Sequence, residues 1–249
     1  LLDAPTPLHE AKQLTKYLGG PRILFKRDDL TGVGLGGNKV RKLEYIFGKF
    51  LADGCDTVIV CGGCQSNLAR ITAAIGAGLS LRGEAVLAGV PGETYDYTGN
   101  LLLTKLLGAN IHFLETEVRW EFGTFIEDLA ADLTRAGRKV GTMPLGGASA
   151  EGMLGYIKAT GELIGQCQDM GCEPSALVVA IGSGGTYGGL VLGQCNDNPP
   201  YVVHGISVSR PAAYLSENVP ESTRIAAETP GLASPPRPGP PPLRYTFLG

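Results

Sequence analysis

Charge concentrated in one sign is missing from this sequence. Its 249 residues carry 21 basic and 24 acidic side chains, a formal net charge of −3, with both signs interspersed. That leaves no basic stripe for a nucleic acid and no polybasic run for an anionic membrane, so a small molecule is the expected partner. No apolar run reaches the roughly 18 residues of a membrane-spanning helix. The opening residues lack the charged, apolar and small-residue zones of a secretory signal, and a cytosolic protein is the expectation. Cysteine is scarce too: Cys55, Cys61, Cys64, Cys167, Cys172 and Cys195 are too few to staple a chain this long, and are read as reduced thiols. The pair Cys61 and Cys64 has no good second pair for zinc, and His9, His112 and His204 are too dispersed to form a cluster, so no metal is expected. A G-x-x-x-x-G-K-[ST] loop is absent, which argues against a P-loop nucleotide triphosphatase.

What the chain does have is 43% hydrophobic against 18% charged residues, enough for a core in one large or two modest domains. Strand-like runs at Val58-Ile59-Val60, 84–88, 110–114 and 177–181 alternate with helical patterns at 67–78, 98–107, 122–136 and 152–170. That order predicts an α/β fold with parallel sheets and crossover helices. Residues 229–242 hold too many prolines for a helix or an interior strand and read as an extended connector. The chain opens at Leu1 without an initiator Met and closes on a strand-like run at 244–249, so it reads as a fragment, trimmed slightly in front and substantially behind.

Three glycine-bearing joints carry the chemistry. At Gly36-Gly37-Asn38-Lys39 flexible backbone gives way to a helix with Leu43, Ile46, Phe47 and Phe50 on one side. Lys39 sits at the helix entrance, where the helix end and the nearby Arg41 and Lys42 disfavour its protonated form and favour a nucleophilic amine. A solvated basic first turn is the alternative. At Cys61-Gly62-Gly63-Cys64-Gln65-Ser66-Asn67, a strand runs through a glycine pair into a helix start whose amides, with Ser66 and Asn67, could bind a carboxylate or a ring oxygen. Ordinary N-capping by Ser66 or Asn67 is the alternative there. At Gly182-Ser183-Gly184-Gly185-Thr186 a third joint offers amides and two hydroxyls that could surround a phosphate without any lysine. A dinucleotide fingerprint would need glycine where Tyr187 stands, so a plain NAD site is disfavoured.

Taken in order, these joints resemble the D-cysteine desulfhydrase and 1-aminocyclopropane-1-carboxylate (ACC) deaminase family, within the tryptophan-synthase-beta-like, fold type II pyridoxal-phosphate enzymes. The likeness extends to about residue 210 through Pro5-Thr6-Pro7-Leu8, Lys26-Arg27-Asp28-Asp29-Leu30, Gly36-Gly37-Asn38-Lys39, Gln65-Ser66-Asn67, Gly99-Asn100-Leu101-Leu102-Leu103, Gly146-Gly147-Ala148-Ser149, Gly155-Tyr156 and Gly182 to Thr186. The resemblance implies pyridoxal 5′-phosphate as cofactor, Lys39 as its Schiff-base lysine and as the base for the substrate α-proton. It implies Asn67 at the cofactor 3′ oxygen, Gln65, Ser66, Asn67 and Leu68 at the substrate, with Ser66 also close to the reacting group, and Gly182, Ser183, Gly184, Gly185 and Thr186 at the phosphate. Two α/β domains are implied, a small one at 44–156 and a large one from 1–43 with 157–249, in a homodimer.

Leu68 departs from the family pattern, which has His there in desulfhydrase-like members and Gln in deaminase-like ones. Family members also run on past Gly249 into a segment with further substrate-facing residues, so the fragment is expected to be impaired or inactive. The Gly99-Asn100 motif and the doubled glycine at 184–185 resemble the desulfhydrase branch, which implies β-elimination from an amino acid such as D-cysteine. Ring-opening deamination, L-cysteate sulfo-lyase chemistry and a non-catalytic truncated protein are the alternatives. Asp28 and Asp29 are read as capping or pairing with Arg27, Tyr156 and Tyr187 as packing, and Trp120 as a packing residue.

Overall fold

The computed structural model describes residues 1–89, 95–115, 122–209 and 211–228. The proline-rich stretch at 229–242, the run at 244–249 and Trp120 lie outside the described residues. Strands β1 (Leu8–Glu10) and β2 (Leu24–Lys26) pair antiparallel around helix α1 (Lys12–Leu18). A glycine-rich loop with a short 3₁₀ turn at Val33–Leu35 leads into α2 (Lys39–Ala52), whose buried Val40, Leu43, Phe47 and Phe50 recur at helical spacing.

The next segment alternates strand and helix: β3 (Thr57–Gly63), α3 (Asn67–Gly78), β4 (Arg82–Gly89), α4 (Gly99–Leu106), β5 (Asn110–Glu115), α5 (Gly123–Arg135) and β6 (Val140–Thr142). Its four strands form one parallel sheet in the order β5-β4-β3-β6. Val58, Ile59, Val60 and Cys61 of β3 are all buried, because helices cover both faces of a parallel sheet and leave no wet side for alternation. A second 3₁₀ turn, at Leu145–Gly147, precedes α6 (Ala150–Asp169), β7 (Ala176–Ile181), α7 (Gly185–Asp197), β8 (Val202–Ser207) and α8 (Ala212–Glu228). β7 and β8 pair in parallel.

The α/β architecture, with parallel sheets flanked by helices, is the one the sequence predicts, and the four expected strands and four expected helices are present. The helix at Ala212–Glu228 is not among the elements predicted from the sequence; it accommodates Pro220, which lacks an amide donor, in its interior. Two main cores result. One joins α2, α3 and the four-stranded sheet; the other joins α6, α7, β7, β8 and α8. The expected domain limits after residues 43 and 156 fall inside α2 and α6. These helices cross in backbone contact: a Cβ on Gly155 would lie 2.0 Å from the Arg41 carbonyl oxygen. No helix among the described residues is long and apolar enough to cross a membrane.

Candidate active site

All three joints open on one cleft of about 600 Å³. Lys39 enters it from the start of α2; Gln65, Ser66, Asn67 and Leu68 from the joint between β3 and α3; Gly182 and Ser183 from the joint between β7 and α7. The turn before α6 adds Leu145 and Gly146, and α8 closes the remaining side with Tyr214, Asn218 and Ser222. The candidate amine and the start of the candidate phosphate loop, more than 140 positions apart, therefore face the same space. Gly184 and Gly185 are buried behind the lining, and Thr186 faces a second, smaller cavity shared with Asn38, Tyr156 and Leu190.

Burial lowers the Lys39 amine below the usual lysine range. The direction is the one expected, but the cause differs. The expected Arg41 charge is turned away: its guanidinium, 1% exposed, binds Asp28 at 2.9 Å and Glu162 at 2.9 Å, and Lys26 joins the same Glu162 carboxylate. Lys42 is fully buried, donates to the Gly146 carbonyl at 3.0 Å, and is pushed well below the lysine range, first by burial and then by the charge of Lys39. Two amines thus share a region where charging both is costly without an anion nearby.

At the second joint, Ser66 caps α3 by accepting from the Ala69 amide at 3.2 Å. The Gln65 side chain is engaged by the turn before α4, donating to the Thr98 carbonyl at 3.2 Å and accepting from the Asn100 amide at 2.9 Å. Asn67 approaches the Asn38 side chain at 3.5 Å, beside Lys39. Leu68, 2% exposed, belongs to the first core and gives the cleft an apolar patch of wall. Asp29 pairs with Arg27 at 2.7 Å, whereas Asp28 pairs with Arg41. Tyr156 donates to Asp28 at 3.0 Å, and burial, then the Asp28 charge, raises its phenol well above the usual range. A phenol held that high is a poor proton donor near neutrality.

The sequence matches the pyridoxal-phosphate dependent enzyme family over residues 1–246. This chain belongs to that family. It is 40% identical over 238 residues to a Pyrococcus abyssi protein provisionally named 1-aminocyclopropane-1-carboxylate deaminase, covering 93% of this chain and 69% of that protein. It is 38% identical over 216 residues to the D-cysteine desulfhydrase of Salmonella typhi, covering 86% of this chain and 65% of the relative. The crystal structure of an ACC deaminase homologue superposes with a TM-score of 0.88 at 35% identity, over 99% of this chain and 72% of that one. The chain is thus a pyridoxal-phosphate dependent enzyme of the ACC deaminase and D-cysteine desulfhydrase group.

Pyridoxal 5′-phosphate is the cofactor of this family, and the cleft has a donor set that fits it. A half-buried amine with a lowered pKa stands at Lys39, and the helix start at Gly185 must be glycine. A Cβ there would lie 2.8 Å from both Lys42 Nζ and the Ala148 Cα. A buried amine therefore stands against the helix start where an anion would meet unsatisfied amides. Sequence reasoning missed Lys42, because in the run Lys39-Val40-Arg41-Lys42 nothing separates an inward amine from a solvated one. It also missed the α8 residues, along with the helix that carries them.

Proposed function

We propose that this pyridoxal-phosphate dependent enzyme performs a deaminating β-elimination on a small amino acid such as D-cysteine, taking up one water and giving pyruvate, ammonia and sulfide. The observation that carries the proposal is the shared cleft, with the Lys39 amine on one wall and Gly182 and Ser183 on another. In this reading Lys39 holds the cofactor and then takes the substrate α-proton. Gly182 to Thr186 supply backbone amides and Ser183 its hydroxyl for the phosphate, and Lys42 adds a cation once that anion is present. Asn67 binds the cofactor ring oxygen, while Ser66 and the amides at the start of α3 orient the substrate carboxylate. Gln65 supports this site by fastening it to the turn at Thr98 and Asn100. When bound, the cofactor supplies the electron sink for charge developing at the α-carbon. The apolar Leu68 wall suits a β-substituent that leaves as a neutral or soft group, such as a thiol.

A second reading, ring-opening deamination to 2-oxobutyrate, is favoured by the names of the Pyrococcus abyssi relative and of the superposed homologue. The same proposal takes 44–156 as a small unit against a large unit of 1–43 with 157–249, in a cytosolic homodimer. Purified chain mixed with pyridoxal 5′-phosphate should develop the visible absorption of a lysine-bound cofactor, and Lys39→Ala should remove it. Product analysis with D-cysteine, L-cysteate and the cyclopropane amino acid then decides the reaction. Pyruvate with sulfide supports elimination, sulfite from L-cysteate supports the sulfo-lyase, 2-oxobutyrate selects ring opening, and absorption without any product selects a non-catalytic protein.

A further inference from the structure

Arg70 projects from α3 one turn beyond Asn67 and is 7% exposed. Among the described residues its guanidinium meets backbone carbonyls and no carboxylate. Nη1 donates to Gly34 and Nη2 to Gly36 at 2.7 Å, while Nε has no partner. Burying a cation without a counter-charge is costly, and desolvation lowers the Arg70 pKa accordingly. The segment it grips runs directly into Lys39. Within the loop the Gly36 amide donates to the Val33 carbonyl at 2.9 Å, but Gly34, Leu35 and Gly36 all have positive φ, and Leu35 is 76% exposed. Thr31 clips the far end through Gly37, with its hydroxyl 2.8 Å from the amide and 2.9 Å from the carbonyl oxygen. The loop rests on α3 closely enough that a Cβ on Gly34 would lie 2.8 Å from the Ala74 Cβ. The Asn67 to Asn38 contact, at 3.5 Å, is too long to fasten the two helix starts by itself.

We propose that Arg70 is a positioning residue: by fastening the Gly34 and Gly36 carbonyls to α3, it fixes the Lys39 amine relative to the Ser66 and Asn67 side of the cleft. One helix then carries both the substrate-facing residues and the strut that sets where the amine stands. The proposal rests on the assignment of Lys39 as the cofactor lysine.

The test compares wild type, Arg70→Lys and Arg70→Ala, with Lys39→Ala as the control for the assignment itself. Cofactor titration followed by visible absorption should give a dissociation constant raised about tenfold in Arg70→Lys, since an ammonium cannot reproduce the two-carbonyl fork. The pH midpoint of the absorption should move by about half a unit. Melting of the cofactor-free Arg70→Lys protein should stay close to wild type. In Arg70→Ala, added ethylguanidinium should restore the absorption and ethylammonium should not. If wild type binds cofactor through Lys39 while both variants keep its affinity within about twofold and its midpoint within about 0.2 pH units, the positioning role is overturned and the proposed function stands. Failure of both variants to fold assigns Arg70 to the fold and overturns the role too. Absence of the absorption in wild type defeats both proposals together.

Discussion

The Tyr156 hydroxyl donates to Asp28 Oδ2 at 3.0 Å and lies 3.2 Å from the carbonyl oxygen of Asn38, the residue just before Lys39. Asp28 also accepts from Thr6 at 2.8 Å and from two Arg41 nitrogens at 2.9 Å. Removing the phenol oxygen therefore leaves Asp28 well satisfied and takes away one buried bond. Tyr156→Phe should lower stability by about 1–2 kcal/mol, read as a shift of the urea midpoint at unchanged m. An unchanged midpoint would show that the hydroxyl contributes nothing net.

Glu162 should control stability in acid. Burial opposes its ionisation, but hydrogen bonds from Arg41 and Lys26 outweigh burial and bring the carboxyl down to about 2 from 4.5. With the folded pKa below the unfolded one, the stabilisation is complete above 4.5 and is lost as pH falls towards 2. Glu162→Gln should cost about 1–2 kcal/mol at neutral pH, less than the whole shift because solvent screens part of the carboxylate, and should flatten that part of the stability curve. Denaturant melts between pH 2 and 6 measure both; parallel curves for wild type and variant would refute the linkage.

These groups mark where sequence reading stopped. The three joints were legible because a strand, a glycine cluster and a helical pattern follow one another locally, and so was the α/β order. Arg41 and Lys42 were not, because the rotation of α2 decides whether each meets Asp28, Glu162 or Gly146, and Glu162 lies 121 positions from Arg41. Thr186 illustrates the same limit within one motif. Ser183 stands before the left-handed Gly184 and lines the cleft, whereas Thr186, in the first turn of α7, lines the smaller cavity.

Lys42 should make cofactor-free protein more stable in base. Its folded pKa is depressed by burial and by Lys39, so below the ordinary value of 10.5 the unfolded chain binds the extra proton. Stability must therefore rise with pH across the interval between the folded and unfolded values. Lys42→Met removes that slope and should raise stability at neutral pH, since a methionine carries no desolvation cost. It should also weaken cofactor binding by tenfold or more, on the order of one charge-assisted hydrogen bond. Stability curves with and without cofactor check both signs. A variant that is less stable at pH 7 yet binds cofactor normally would contradict both.

Ser66 has two tasks that substitution can separate. Its hydroxyl accepts from Ala69 at 3.2 Å, and the residue also lines the cleft. Ser66→Ala loses the helix cap and should cost about 1 kcal/mol, whereas glycine at an N-cap costs only a few tenths. Ser66→Gly thus keeps most of the helix stability while removing the same oxygen from the cleft. If the hydroxyl helps bind the substrate carboxylate, both variants should raise KM by about tenfold, the usual scale of one hydrogen bond to a charged group, while only Ser66→Ala melts appreciably earlier. A KM that follows the melting temperature instead, rising in Ser66→Ala and unchanged in Ser66→Gly, would confine Ser66 to capping and leave the carboxylate to the backbone amides of α3.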